Sequence, residues 1–99
     1  MNLPIRLDKE RIAEFCRRNS IVRLSLFGSV LREDFGPESD VDVLVEFERD
    51  AVVTLLDMSR MEDELAQTLG RSVDLRAPQE LSRYFRDQVL ASAAVQYAP

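Results

Sequence analysis

The chain has 99 residues, 45% of them hydrophobic and 31% charged, with a formal net charge of −5, one Cys and no His. That length suits one domain with a thin core, the lone Cys16 excludes an internal disulfide or a Cys-rich zinc site, and the lack of His excludes Ser-His-Asp and Cys-His catalysis. The acidic balance disfavours direct, sequence-independent binding of nucleic acid, Arg17-Arg18 being too short a basic run to reverse it, and fits small-molecule work with cations or a basic protein partner.

A single domain over 1–99 is expected. No apolar stretch is long enough for a signal peptide, and none reaches the ~20 residues of a membrane span. A cytoplasmic location without membrane contact is therefore expected. The first helix starts at Leu7-Asp8-Lys9-Glu10-Arg11-Ile12, where Asp8 can cap free N–H groups while Leu7 and Ile12 staple across it. Ile12, Phe15 and Cys16 then share one helical face, so Cys16 reads as core, and Asn19 closes the helix. Ile21 to Phe27 is a strand by composition and alternation. Gly28-Ser29 ends it, Ser29–Asp34 forms a short helix or turn, and Gly36-Pro37 breaks the chain.

Val41 to Phe47 is a second strand, with Val41, Val43, Val45 and Phe47 on one side and Asp40, Asp42, Leu44 and Glu46 on the other. Thr54 to Leu69 is the clearest helix. Leu55, Met58, Met61, Glu62, Leu65 and Leu69 follow a spacing near 3.6, with Thr54 as cap and Gly70 at C′. Asp57, Glu62, Asp63 and Glu64 read as solubilising charges. Arg71 to Leu75 is a short third strand stopped by Pro78. Ser82 to about Ala91 is a final amphipathic helix with Phe85 and Val89 one turn apart, Phe85 packing in the core. The fold class is α/β (α+β): a mixed three- to four-stranded sheet packed by about four helices.

Chemistry concentrates in two segments. Asp40 and Asp42 stand two apart at the mouth of a strand, so their Cβ atoms lie roughly 6–7 Å apart. Carboxylates at that spacing can converge on one Mg²⁺ or bridge two; they can equally mark a loop-to-strand edge. Asp74, inside Val73-Asp74-Leu75, joins them if its strand lies alongside, and can then take a proton from an attacking hydroxyl. Otherwise it is an exposed strand acid. Gly28-Ser29 permits a tight turn and a phosphate contact, and Arg32, three residues on, can reach the same phosphate. Glu46 shares the face of the acids and is the nearer of Glu46 and Glu48 to them.

Phe27-Gly28-Ser29, then Arg32, then Ser39-Asp40-Val41-Asp42-Val43-Leu44-Val45-Glu46-Phe47 resembles the Gly-Ser…Asp-x-Asp pattern of the nucleotidyltransferase (polymerase beta-like) superfamily, with ten residues between Ser29 and Asp40. The closer resemblance is to the minimal nucleotidyltransferase (MNT) antitoxins. Leu69-Gly70-Arg71-Ser72-Val73-Asp74-Leu75 is similar to their third-acid segment, and Leu81 to Leu90 to their closing helix. One departure is Glu33, where members often carry Gly after the Arg. Glu33 and Asp34 are expected to point outward from a short helix.

The resemblance implies AMP transfer from ATP to a protein hydroxyl. Gly28, Ser29 and Arg32 would bind the nucleotide, and Asp40, Asp42 and Asp74 would be the catalytic acids and ligands of two Mg²⁺ ions. Larger relatives carry a helical domain that grips the acceptor. Here the resemblance implies a partner that supplies it: a HEPN-domain ribonuclease toxin, modified on Tyr and silenced. Two other readings stay open. One is an antitoxin that blocks the toxin by binding alone, through Tyr84, Phe85 and Tyr97. The other is a nucleotide-binding regulatory subunit without turnover. Assembly with itself or with the toxin is left open by the sequence.

Overall fold

The computed structural model describes Ile5 and residues 7–32, 35–36 and 38–98. Helix α1 (Lys9–Arg18) begins at Asp8, whose Oδ1 accepts from the N–H groups of Glu10 at 3.1 Å and Arg11 at 3.2 Å. It ends at Asn19, whose Nδ2 donates to the Phe15 carbonyl at 2.8 Å. Ile12, Phe15 and Cys16 are buried, as their spacing implied. Burial pushes the Cys16 thiol up to about 12, so Cys16 is a packed hydrophobe and not a nucleophile.

Strand β1 (Ile21–Phe27) pairs antiparallel with β2 (Val41–Phe47), with Leu24 opposite Val45 and Leu26 opposite Val43. Strand β3 (Val73–Arg76) runs parallel to β2. A fourth strand, β4 (Ala94–Tyr97), pairs antiparallel with β1 and completes the order β3-β2-β1-β4. Sequence reading ended the chain on a helix and missed β4, whose four residues carry no turn signal ahead of them. The mixed sheet is as expected. The helices are fewer: among the described residues there are three α-helices and two short 3₁₀ turns, Gly28–Leu31 and Pro78–Glu80. Glu33 and Asp34, expected to point outward, and Pro37 lie outside the described residues.

Strand alternation gives the sheet two different faces. Leu24, Leu26, Val41, Val43, Val45, Val73 and Leu75 pack with α1 and with Met61 and Leu65 of α2 (Leu55–Leu69) in the main core. Ser25 and Leu44, paired across β1 and β2, are buried outside that cluster on the opposite face, the one that carries the acids. Thr54 and Asp57 form a reciprocal capping box at the start of α2, and Gly70 takes the left-handed conformation at its end, φ 68°.

Three sequence expectations fail in the helices. Leu55, at the first position of α2, is 87% exposed; the buried stripe starts nearly two turns later, with Met61 and Leu65. Glu62 and Glu64 are structural and not merely solubilising. The Glu62 Oε2 accepts from the Leu75 N–H at 2.8 Å, and Glu64 pairs with Arg18 at 2.7 Å. Phe85, on α3 (Arg83–Ser92), is 44% exposed instead of core. Arg86 and Val89 are the half-buried positions of the helix, and the Arg86 guanidinium donates to the Leu81 carbonyl at 3.0 Å. No described helix is long and apolar enough to cross a membrane.

The Glu62 contact ties a helix charge to a free N–H on the outer side of β3, a charge-assisted bond. Replacing Glu62 by Ala should destabilise the fold by about 1–3 kcal/mol, since a part-buried N–H is left unpaired. Urea denaturation measures this, and a loss below about 0.5 kcal/mol, the level of an ordinary surface change, would show that water replaces the bond.

Candidate active site

The site starts from the parallel register of β2 and β3. Val41 stands opposite Val73, and Asp42 therefore stands opposite Asp74. Adjacent strands lie about 4.8 Å apart, so two carboxylates project side by side from the face away from the main core. Asp40 precedes β2 by one residue and is exposed. Burial pushes the Asp42 carboxyl above its ordinary 3.8, and the charges of Asp74 and Asp40 push the same way. The Ser29 N–H, which donates to Asp42, and the Arg32 guanidinium oppose that rise.

Gly28 occupies the bend after β1 with φ 72°, a conformation that L-residues rarely adopt. A Cβ at Gly28 would overlap Oδ2 of Asp42. The glycine is thus required twice, by its φ and by the closeness of the acid. The Ser29 hydroxyl donates to the Asp40 carbonyl at 3.3 Å, and the Arg32 N–H closes the 3₁₀ turn on the Ser29 carbonyl at 2.9 Å. Gly28, Ser29 and Arg32 are therefore gathered around Asp40 and Asp42. In this arrangement the Ser29 N–H and hydroxyl bond to the Asp-x-Asp segment itself.

Asp74 is held differently. Its Oδ1 lies 3.0 Å from the Nε of Arg76 and its Oδ2 accepts from Nη2 at 3.4 Å. Among the described residues no three carboxylate, Cys or His groups are drawn together closely enough to hold a metal ion. The donor chemistry nevertheless fits magnesium: oxygen-only ligands, negatively charged, one of them held above its ordinary pKa by burial and by its neighbours' charge. A divalent cation relieves that repulsion. Glu46 is not part of the cluster, being opposite Arg23 on β1 and paired with it at 3.6 Å.

Two arginines escaped the sequence reading. Arg71 Nη2 donates to the Gly36 carbonyl and, at 3.3 Å, to the Ser39 carbonyl, while its guanidinium lies 4.3 Å from the Phe35 ring centroid. It anchors the segment leading into Asp40. Nothing local announces a contact that spans more than thirty positions. Arg76 could have been found, because a residue two after Asp74 on a strand shares its face.

The site is thus a Gly-Ser bend facing paired acids at the start of two parallel strands. The match to the nucleotidyltransferase domain family runs over residues 9–97; the chain belongs to that family, and nucleotidyl transfer is its class of reaction. It is 33% identical over 85 residues to a Methanocaldococcus jannaschii chain named for protein adenylyltransferase activity, covering 86% of this chain and 89% of that one. A solved structure described as a minimal nucleotidyltransferase is similar with 39% identity and a TM-score of 0.71, over 86% of this chain and 85% of that one. The fold is also shared, at 22% identity and a TM-score of 0.66, with a chain from a complex of a tri-AMPylated Shewanella oneidensis HEPN toxin with MNT antitoxin, over 92% of this chain and 70% of that one.

Gly28→Ala should cost about 1–2 kcal/mol from the left-handed backbone alone, and Asp42 must also shift. A fall of several degrees in melting temperature is expected for a chain of this size. A melting temperature equal to that of the parent would contradict the required φ. The electrostatics make a separate prediction. The folded pKa of Asp42 lies above its unfolded value, so ionised Asp42 opposes folding. That penalty is absent below about pH 4, near the unfolded value, and complete once pH has risen through the folded value. In metal-free buffer Asp42→Asn should melt above the parent at pH 7, with the gap closing toward pH 3. The same gap at both pH values would refute the assignment.

Proposed function

We propose that this chain is the antitoxin of a toxin–antitoxin pair and acts as a magnesium-dependent protein adenylyltransferase. It would move AMP from ATP to a tyrosine hydroxyl of a HEPN-domain ribonuclease and so silence it. The observation that carries this reading is the Asp42–Asp74 register beside the Gly28-Ser29 bend. The protein adenylyltransferase name of a relative at 33% identity and the AMPylated HEPN toxin in a complex of the same fold support the acceptor class.

Asp40, Asp42 and Asp74 would hold magnesium, with two ions the number this donor set suits. When bound, the metal would neutralise charge that develops on the attacking and leaving oxygens. The acceptor oxygen bonds to the α-phosphorus, the bond from that phosphorus to the bridging oxygen breaks, and pyrophosphate leaves. Asp74, on the outer strand of the pair, would accept the hydroxyl proton. Ser29 and Arg32 orient the triphosphate. Ser29 would first have to give up its bonds to the Asp-x-Asp segment, or share them.

A second reading rests on α3, which has no buried residue and exposes Tyr84 at 92% and Phe85 at 44%. Such a surface suits an antitoxin that neutralises by binding alone. One experiment separates the readings. The protein is incubated with ATP, Mg²⁺ and a folded HEPN toxin encoded beside it, and the toxin is weighed by mass spectrometry. The enzyme reading expects the toxin to gain one or more AMP masses. Asp40→Asn/Asp42→Asn should abolish the gain and the protection while leaving the protein folded. Protection retained by that double variant would favour binding alone.

A further inference from the structure

Arg76 is the last residue of β3 and shares a face with Asp74. Its side chain folds back along the strand to meet both carboxylate oxygens, at 3.0 and 3.4 Å, in a fork. On its other side Nη1 lies 3.9 Å from Oε2 of Glu80. Glu80 is itself held, because its Oε1 accepts from the Ala77 N–H at 3.0 Å across the Pro78–Glu80 turn. The result is a chain of charges, Glu80 to Arg76 to Asp74, fixed at one end to the backbone.

Stability does not explain this arrangement. All three side chains are more than a third exposed, and ion pairs so placed contribute roughly 0–1 kcal/mol. The arrangement does, however, restrict the rotation of one particular carboxylate. The two oxygens keep further lone pairs for a cation or an acceptor proton while the guanidinium grips them.

We propose that Arg76 is a positioning residue that acts through Asp74, holding its carboxylate in the orientation used at the acceptor side of the site, with Glu80 as the anchor. This rests on the reading of Asp74 given under the proposed function. Partners behind catalytic or metal-binding groups of this kind are worth about 10–100-fold in metal affinity or activity. Lys cannot replace the fork, because its ammonium is a point charge and meets one oxygen at a time.

The test compares the parent, Arg76→Gln, Arg76→Lys, Asp74→Asn and the Asp74→Asn/Arg76→Gln pair. Mn²⁺ binding is measured by calorimetry with a non-hydrolysable ATP analogue, so that no turnover is needed. AMP transfer to the folded toxin gives kcat and KM for ATP, and thermal melts monitor folding. Arg76→Gln should weaken Mn²⁺ about tenfold and lower kcat about tenfold or more, with KM for ATP and melting temperature unchanged. Arg76→Lys should recover part of both losses. In the Asp74→Asn background Arg76→Gln should add nothing, the signature of one residue acting through another.

Tighter Mn²⁺ binding by Arg76→Gln would mean that the guanidinium only competes with the cation, and would overturn the assignment. Additive losses in the double variant would overturn it as well, as would unchanged binding and kcat. If the parent itself binds no Mn²⁺ and transfers no AMP, the reading of the site fails and the role of Arg76 fails with it.

Discussion

Asp42 and Asp74 are held side by side by the parallel pairing of two strands, and the rest of the site is arranged around that repulsion. The pairing is dictated by the face they do not share. Val41, Val43, Val73 and Leu75 must all reach the same core under α1 and α2, and a slip of one residue would turn every one of them to the other side. The same apolar demand that secures the core therefore aligns two negative charges across neighbouring strands. Their charge repels, and burial makes it worse for Asp42.

Neighbouring groups meet that cost in part. The Ser29 N–H and Arg32 act on Asp42, and Arg76 acts on Asp74. The balance still leaves the Asp42 carboxyl above its ordinary value. Each fragment of backbone around the acids is correspondingly constrained. Gly28 lets β1 turn without striking Asp42. Arg71 reaches back over Phe35 to fix the segment that delivers Asp40. Glu62 secures β3 from the helix behind it.

The main core lies under one face of the sheet. The other face buries Ser25 and Leu44 and carries Arg23, Asp42, Glu46, Asp74 and Arg76. The final helix leaves its aromatic side chains, Tyr84 and Phe85, exposed.

Local chemistry was legible residue by residue. Asp8, Thr54 and Gly70 announced the helix ends, because capping is settled within four residues of chain. Valines at every second position announced the buried face of β2. Gly28, Ser29 and the three aspartates could be named as candidates, since their spacing reflects strand and turn geometry. Phe85 misled, because a helix in isolation shows an apolar stripe but not which way it is turned; here Arg86 and Val89 are the half-buried positions. Strand β4 was missed because its pairing with β1 crosses most of the chain. The roles of Glu62, Arg71 and Arg76 likewise depend on which elements meet. The sequence by itself determined which residues could carry charge, turn or burial. Only the tertiary structure decided which of those charges face one another, because long-range strand register and helix rotation are set by packing the whole core at once.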